Sequence, residues 1–588
     1  MLSSALAANG ILSLLVSLGL RDLCIAPGSR SAPFALLRSR LPELAFHTHF
    51  DERDLGFLAL GIARGSGIPA AAVTTSGTAV GNLLPAVMEA RMSHIPLILI
   101  TADRPWELLE TGANQTCRQD GIFGSYAVFV HVPVLTSEIE LAAAKRRISS
   151  ALAEALASGI PLHLNVEMRE PLYGDPAESP LPARLPANDN QAGEHSFTDL
   201  RPETLPGNSL LTTLKTFLAP ESPALIAAGS LPPEDAALLA EPLRKTGHPV
   251  IADIQSNLRG RIPVLPPFDL LTARLPGAYE RLRTCRRLIV LEGHFISKKL
   301  LSFIRDFPGE VIFITKYTDG INASGHPGPV IRITPEVLRK TILSLTDGNP
   351  AGTSVSSGDP FFTENPCLMP GPVMEKLSSG NAAGDRLTEA SVIAALSKLE
   401  TPLLIGNSLP ARLADTLLCP EYPRGIFTSR GVSGIDGLIA AAAGLSHCFP
   451  DTGITAVIGD TSALYDLSGI ALLRKYRVRL IILNNNGGNI FMKFPVPDEA
   501  ILKELFVNPQ NVTFAGAAGM FGIPWRQVTR EAELRDLIRG PAAGEVLEIP
   551  LPPGEGINML RELTAEAPGL PSDPSPSENK AANEADQS

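Results

Sequence analysis

The chain has 588 residues, 44% hydrophobic and 19% charged, a globular composition too long for a single core. Lys and Arg total 50 against 61 Asp and Glu, a net charge of −11. That balance argues against a general nucleic-acid binder but leaves room for a local basic pocket.

In chain order, the N-terminal stretch MLSSALAANGILSLLVSLGLRD lacks a basic leader region and reads as an amphipathic helix. No uncharged apolar run reaches the roughly 18 residues that a membrane span needs. LCIAP (23–27), AAAVTTSG (70–77), IPLILITAD (95–103) and IPLHLNV (160–166) read as strands separated by helical patterns. Residues 174–207 are rich in Pro, Ala, Asn and Asp and read as a linker. A second block carries ALIAAG (224–229), PVIADI (249–254), LIVLEG (288–293), VIFITK (311–316) and PVIRIT (329–334). A second linker is read at 347–384. The third block carries PLLIGN (402–407), TAVIGD (455–460), LIILNN (480–485) and EVLEIP (545–550). Strands alternating with helices predict three doubly wound parallel-sheet α/β domains, over 1–180, 205–346 and 385–564. The tail 565–588 has almost no apolar residues and is expected to be disordered. Six cysteines are scattered without a CxxC, so they read as reduced thiols of a cytosolic protein.

Ligands of such sheets bind beyond the carboxyl ends of the strands. The polar clusters GSRS, TTSGT, TADR, GNS, GDTS and NNNGG fall there. In GDTSALYDL, Asp460 ends a strand where a helix opens, and Asn485 follows one strand later in LNNNGGNIF. Free N–H groups at the helix start suit a phosphate, and an aspartate beside a phosphate calls for a cation between them. Asp460, Asn485 and a backbone carbonyl freed by Gly487 and Gly488 supply the hard oxygens that Mg²⁺ prefers. The plainer alternative is a βα turn with Asp460 as a cap. Glu52 opens a largely apolar helix, where a carboxylate can also simply offset the helix dipole. The ten histidines form no metal pattern, no GxSxG or P-loop occurs, and Gly65-Ser-Gly67 reads as a helix end.

Taken together, Glu52 and GD…NN resemble the thiamine-diphosphate enzymes. APGSRSAPF (26–34), HFDER (49–53), TTSGTAVGNLLPAVMEA (74–90), TADRP (101–105), GANQTCRQ (112–119), GNSLPAR (406–412), SRGVSGIDG (429–437), GDTSALYDLSGIALLR (459–474) and NNNGGNIF (484–491) narrow the resemblance. They look like the synthases of menaquinone biosynthesis that join 2-oxoglutarate to isochorismate. Thr461 stands where many thiamine-diphosphate enzymes carry the last glycine of GDG.

The resemblance implies a pyrimidine-binding first domain, a central domain and a pyrophosphate-binding third domain. It implies thiamine diphosphate with Mg²⁺ or Mn²⁺, held by Asp460, Asn485 and Gly487. Glu52 would bond the aminopyrimidine N1′ and promote the tautomer that deprotonates the thiazolium carbon. Thr75, Gly77, Thr461, Ser462, Ile435 and Ile490 would complete the cofactor site. Ser408 and Arg412 would hold the 2-oxoglutarate chain, while Ser29, Arg30, Arg104, Asn114 and Gln115 would face isochorismate. Arg430 would serve the acceptor carboxylate, with Lys298 and Lys299 closing the site from the central domain. Lys299 stands where such synthases often carry arginine. Phe491 and Phe494, with Ile490, would form an apolar wall. The glutamate and the metal loops come from different subunits in this family, which implies a homodimer, with a tetramer left open.

Two rivals stand beside this reading. Another thiamine-diphosphate enzyme, an acetohydroxyacid synthase or a 2-oxoacid decarboxylase, would share the cofactor motifs but not need the arginine set. A non-catalytic scaffold would be expected to have lost Glu52, Asp460 or Asn485, and all three are present.

Overall fold

Continuous Val, Ile, Leu and Ala runs are what strands buried on both faces require, and here they form the centres of three parallel sheets. The computed structural model describes residues 2–173, 208–218, 224–320, 322–346, 386–420 and 424–565. Both linkers, and the tail beyond Ala565, lie outside the described residues.

The first sheet contains β1 (Asp22–Ile25), β2 (Ala45–Thr48), β3 (Ala70–Thr74), β4 (Leu97–Asp103), β5 (Val128–Val132) and β6 (Leu162–Glu167), in the order β2-β1-β3-β4-β6-β5. The second holds β7 (Ala224–Ala228), β8 (Val250–Ala252), β9 (Arg287–Leu291), β10 (Glu310–Thr315) and β11 (Val330–Arg332), in the order β11-β10-β9-β7-β8. The third holds β12 (Leu403–Ile405), β13 (Ile426–Thr428), β14 (Ile454–Gly459), β15 (Val478–Asn484), β16 (Trp525–Gln527) and β17 (Glu545–Pro550), in the order β13-β12-β14-β15-β17-β16. First and third sheets therefore share one strand order, and the doubly wound α/β expectation holds for all three.

Every stretch read as a strand is one. The strands absent from that reading are β2, β5, β13 and β16, and each is a sheet edge. Three of them are partly exposed along their length, β2 and β16 most of all, so they carry no long apolar run. β13 holds only two apolar residues, Ile426 and Phe427, before Thr428, Ser429 and Arg430, so it too makes no run.

The N-terminal stretch forms the helix Ser4–Ser17, which buries Ile11, Leu12 and Leu15. Among the described residues, no helix is long and apolar enough to cross a membrane.

Alternate residues of each central strand feed opposite faces. In β3, Ala70 and Ala72 join one core and Ala71 and Val73 another; in β15, Leu480 and Ile482 join one core and Ile481 and Leu483 another. One core is common to the first and third domains. Its axis is the contact between the helices Glu52–Ser66 and Leu438–His447. Residues Asp54 to Ala63 of the former are all buried, as expected of a helix covered on every side. A Cβ at Gly61 would collide with the Ala441 carbonyl, and one at Gly444 with the Leu58 carbonyl. The two backbones therefore touch directly.

The central domain is sewn to the third by polar contacts. Asn257 Oδ1 accepts from the Ile426 N–H at 2.7 Å, and Asn257 Nδ2 donates to the Ile426 carbonyl at 3.1 Å. Arg259 pairs with Asp415 at 2.7 Å.

Gly61→Ala should lower stability by about 1–3 kcal/mol, because overpacking against backbone cannot relax, even though alanine is the better helix former. Gly516→Ala, where a Cβ meets nothing within 4 Å, should be neutral or stabilising. Thermal midpoints at one scan rate check both.

Candidate active site

In a doubly wound sheet the crevice opens where the strand order reverses. That point lies between β12 and β14 in the third sheet, and between β1 and β3 in the first. The loops GNS (406–408) and GD (459–460) flank the former, and GSRS (28–31) and TTSGT (74–78) the latter.

Parallel pairing of Gly459 with Leu483 brings the GD and NNNGG loops to one edge. Asp460 is buried and ties them together. Its Oδ1 accepts from the Thr461 N–H and its Oδ2 from the Gly487 N–H, both at 2.7 Å. The three asparagines divide their work. Asn484 Nδ2 donates to Glu548 Oε1 on β17 at 2.7 Å. Asn485, 8% exposed, donates its side-chain N–H to Glu389 Oε1. Asn486 takes a left-handed backbone (φ 64°) and donates to Asn511 Oδ1 at 2.9 Å. Gly487 has φ 117°, and a Cβ there would collide with the Val507 carbonyl, so only glycine fits.

This pocket is rich in acceptors. Burial raises Asp460, and pushes Glu389 up to about 7, with the charges of Glu555 and Asp460 adding to the rise and the Asn485 bond opposing it. Glu389 Oε2, Glu555 Oε2 and Asn489 Oδ1 are buried without a hydrogen-bond partner. Buried, unpaired oxygens around two carboxylates fit a hard divalent cation. Asp460 and Asn485 are the residues of these loops that could hold one. The Gly487 carbonyl accepts from the Asn489 N–H at 2.8 Å and keeps a second lone pair. Ser462 is buried and Thr461 exposed at the start of the helix Asp460–Tyr465.

Cationic side chains gather beside these loops. Arg412 Nη1 donates to the Ser408 carbonyl at 2.8 Å, and Ser408 itself has a strained φ of 71°. Burial and the neighbouring charge of Arg430 both lower Arg412. Burial lowers Arg430, against the pull of Asp253, Asp415 and Glu89. Lys493 is lowered by burial and by the charges of Arg412 and Lys298. The structure thus links Lys298, Lys493, Arg412 and Arg430 electrostatically. Sequence reasoning missed Lys493, although it stands five positions after the last glycine of NNNGG. Lys299 points its Nζ at the Thr564 carbonyl, 3.1 Å away. Ile490 is half-buried, whereas Phe491 and Phe494 are 37% and 48% exposed, so their wall is open on one side. Arg430 also lines a cavity of about 650 Å³ where the three domains meet, with Arg64, His294 and Lys316.

On the first domain, Glu52 begins its helix behind the cap Asp51, and its Oε2 accepts from Asn82 Nδ2 at 3.1 Å. Arg30 is buried and donates to the Met168 carbonyl at 2.7 Å. Burial and the charge of Arg104 lower it, opposed by Glu170 and Asp103. Arg104 bonds Ser76 Oγ, which donates to the Gln115 carbonyl at 3.0 Å. Ser29, Asn114 and Gln115 are exposed, and Tyr173 donates to Ser29 Oγ at 3.0 Å. Thr75 is buried, and the Gly77 N–H donates to Gln119 Oε1 at 2.9 Å. Gln119, not singled out from sequence, bridges on to Asn165 Oδ1 at 2.9 Å. Thus Arg30, Arg104 and Gln115 form one cluster on the first domain, and Arg412, Arg430, Lys298 and Lys493 another beside the third.

Two interdomain devices hold the loop SRGVSGIDG, which carries half-buried Ile435. Glu89 accepts from the N–H groups of Gly431 and Val432 at 3.1 and 2.9 Å. Asp466 accepts from the N–H of Gly437 at 3.2 Å and of Ile439 at 2.7 Å, capping the Leu438 helix. Asp466 also shares a hydrogen bond with the fully buried Asp54 of the Glu52 helix, which His49 and Ser468 contact at 3.2 and 2.6 Å. Two buried carboxyls in contact must share a proton. Burial raises both, Asp466 most strongly. A raised carboxyl favours the folded state while protonated, and that contribution is lost as pH rises from about 4 through the raised value. Asp54→Asn supplies the donor permanently, its amide nitrogen taking the place of Oδ1, which has no other hydrogen-bond partner, whereas both Asp466 oxygens already accept from backbone N–H groups. The thermal midpoint of this variant relative to the parent should therefore improve by several degrees between pH 5 and pH 8; a pH-independent difference would show that no proton is shared.

The family model described as the N-terminal thiamine pyrophosphate binding domain of thiamine pyrophosphate enzymes matches residues 6–122. The model for the middle domain of such enzymes matches 212–342. The chain is 36% identical to a 2-succinyl-5-enolpyruvyl-6-hydroxy-3-cyclohexene-1-carboxylate synthase of Halorhodospira halophila, over 95% of this chain and 97% of that protein. It is 35% identical to the synthase of that name from Shewanella frigidimarina, over 88% and 89% of the two chains. Identity to the Shewanella oneidensis synthase is 34%, over 89% and 91%. With the glutamate-led helix, the acceptor-lined loops and full-length similarity in agreement, the chain belongs to the thiamine-diphosphate-dependent 2-succinyl-5-enolpyruvyl-6-hydroxy-3-cyclohexene-1-carboxylate synthase family.

Proposed function

We propose that the chain decarboxylates 2-oxoglutarate and adds the remaining four-carbon unit to isochorismate in a 1,4 fashion, a step of menaquinone biosynthesis in the cytoplasm. The observation that carries this reading is the meeting of two chemistries at one edge of the third domain. The Asp460–Asn485 loops offer buried acceptors for a cation, and Lys298, Lys493, Arg412 and Arg430 offer charge for carboxylates.

Both substrates are dicarboxylates, so fixed cations suit them. Arginine presents a rigid fork that pairs with carboxylate through two bonds. In this reading Arg412, anchored on the Ser408 carbonyl, grips a carboxylate of 2-oxoglutarate. Arg430 meets the acceptor's carboxylate. Ser29, Arg30, Arg104, Asn114 and Gln115 face isochorismate from the first domain. Ile490, Phe491 and Phe494 would exclude water from the reacting carbon once their open side is covered. Asp460, Asn485 and the Gly487 carbonyl would hold Mg²⁺ or Mn²⁺, and Thr461 and Ser462 would meet the diphosphate. Thr75, Gly77 and Ile435 border the cofactor. Glu52 would hold the proton exchanged with the pyrimidine nitrogen N1′ when the cofactor is bound. When bound, thiamine diphosphate supplies the nucleophilic carbon and the electron sink.

The two clusters sit at separate crevices, which supports a site completed by a second copy of the chain, a homodimer. Phe50, Trp106 and Tyr465, exposed by 58%, 69% and 53%, give apolar surface for that contact.

The parent protein with thiamine diphosphate and Mg²⁺ should consume 2-oxoglutarate with isochorismate and leave pyruvate untouched. Turnover of pyruvate alone would favour an acetohydroxyacid synthase or a decarboxylase. Arg412→Ala should raise KM for 2-oxoglutarate by roughly 10–100-fold, the value of a charge-assisted bond, and KM for isochorismate far less. The opposite ranking would mean the two ends of the site are exchanged. Glu52→Gln should keep cofactor affinity by calorimetry yet slow exchange of the thiazolium C2 proton, followed by NMR, by about 10²–10⁴-fold.

A further inference from the structure

Asparagine is an ambiguous cation ligand. Its amide has an oxygen end that coordinates and a nitrogen end that repels a metal, and the two differ little in shape. Something must decide which end faces the Asp460 loop. In this chain the side-chain nitrogen of Asn485 is taken by Glu389 Oε1. The Asn485 backbone is fixed separately, its carbonyl accepting from Asn489 Nδ2 at 2.7 Å.

Glu389 is itself immobilised. It is the first residue of the helix Glu389–Ala395, whose start is locked by a reciprocal capping box between Thr388 and Ser391, at 2.9 and 3.0 Å. Its side chain is 2% exposed. Its second oxygen is buried without a partner and lies against Gly556, where any Cβ would collide with it. A buried carboxylate that makes one hydrogen bond, to one asparagine, is costly for stability alone.

We infer that Glu389 is a positioning residue for the cation site: as an acceptor beside Asn485, it binds the amide nitrogen and turns the amide oxygen toward the Asp460 loop. Its carboxylate also strengthens that oxygen as a ligand by polarising the amide, as partners behind a metal ligand generally do. The inference rests on the reading of Asp460 and Asn485 as the cation ligands.

The test is Mn²⁺ binding to the full-length protein with saturating thiamine diphosphate, read by the electron paramagnetic resonance signal of free Mn²⁺. Glu389→Gln, nearly isosteric, can present nitrogen as well as oxygen to Asn485, and should weaken Mn²⁺ by about 10–100-fold. Asn485→Asp alone sets two carboxylates face to face and should also bind weakly. The exchange pair Asn485→Asp with Glu389→Gln restores one donor and one acceptor in reversed order. It should recover affinity to within about tenfold of the parent, since coupled neighbours depart from additivity. Glu555→Gln removes a nearby carboxylate that does not bond Asn485 and should weaken binding less than Glu389→Gln.

Unchanged Mn²⁺ affinity in Glu389→Met, which keeps the length of the side chain but offers no acceptor oxygen, with affinity lost in Asp460→Ala, would overturn the positioning role and leave the ligands standing. Unchanged affinity in both would overturn the ligand assignment as well. Additive losses in the exchange pair, or an equal loss in Glu555→Gln, would replace the hydrogen bond with a general acidic field. Should Glu389→Gln not fold, the exchange pair measured against Asn485→Asp alone decides the same question.

Discussion

The direct contact between the Glu52 and Leu438 helices governs the rest of this molecule. Gly61 and Gly444 let two backbones meet, and the side chains around them merge the first and third domains into one apolar core. The consequence reaches both helix ends. Glu52 is set at the start of one helix, and the loop carrying Ile435 is set at the start of the other. The Asp54–Asp466 pair and Glu89 then fix these starts across the domain boundary. A domain that drifted would move a carboxylate and a loop together, so their relative placement is built into the core itself.

Charge is organised against the background of an anionic chain. Buried acceptors collect around Asp460, Asn485 and Glu389, while Arg412, Arg430, Lys298 and Lys493 collect alongside. These opposite sets do not neutralise each other by direct pairing. Arg412 commits a hydrogen bond to the Ser408 carbonyl, and Asp460 directs its own at backbone N–H groups. Arg412 and Asp460 are therefore held in place by backbone and left with capacity for ligands, as preorganised sites require.

Much of this was legible in the sequence, for physical reasons. Strands buried on both faces announce themselves as apolar runs, so the central strands could be read. β2, β5, β13 and β16 sit at edges, where part-exposed or very short segments lose that signal. Motif loops could be placed because polar residues directly after a buried strand have few other uses. Glu389, Gln119 and the Asp54–Asp466 pair could not. Each is a single polar residue inside an ordinary helical or loop pattern, and its importance comes from neighbours far away in the chain. Lys493 lay in plain view but reads as a solvated lysine until Arg412 and Lys298 are seen beside it.

The repeated strand order of the first and third sheets implies a division of labour by ornament alone. Two sheets of the same strand order present the same switch point, yet one is fitted with GSRS and TTSGT and the other with GNS and GDTS. Framework and chemistry are thereby separable: specificity can be rewritten in a handful of loop positions without disturbing the twin scaffolds that carry them.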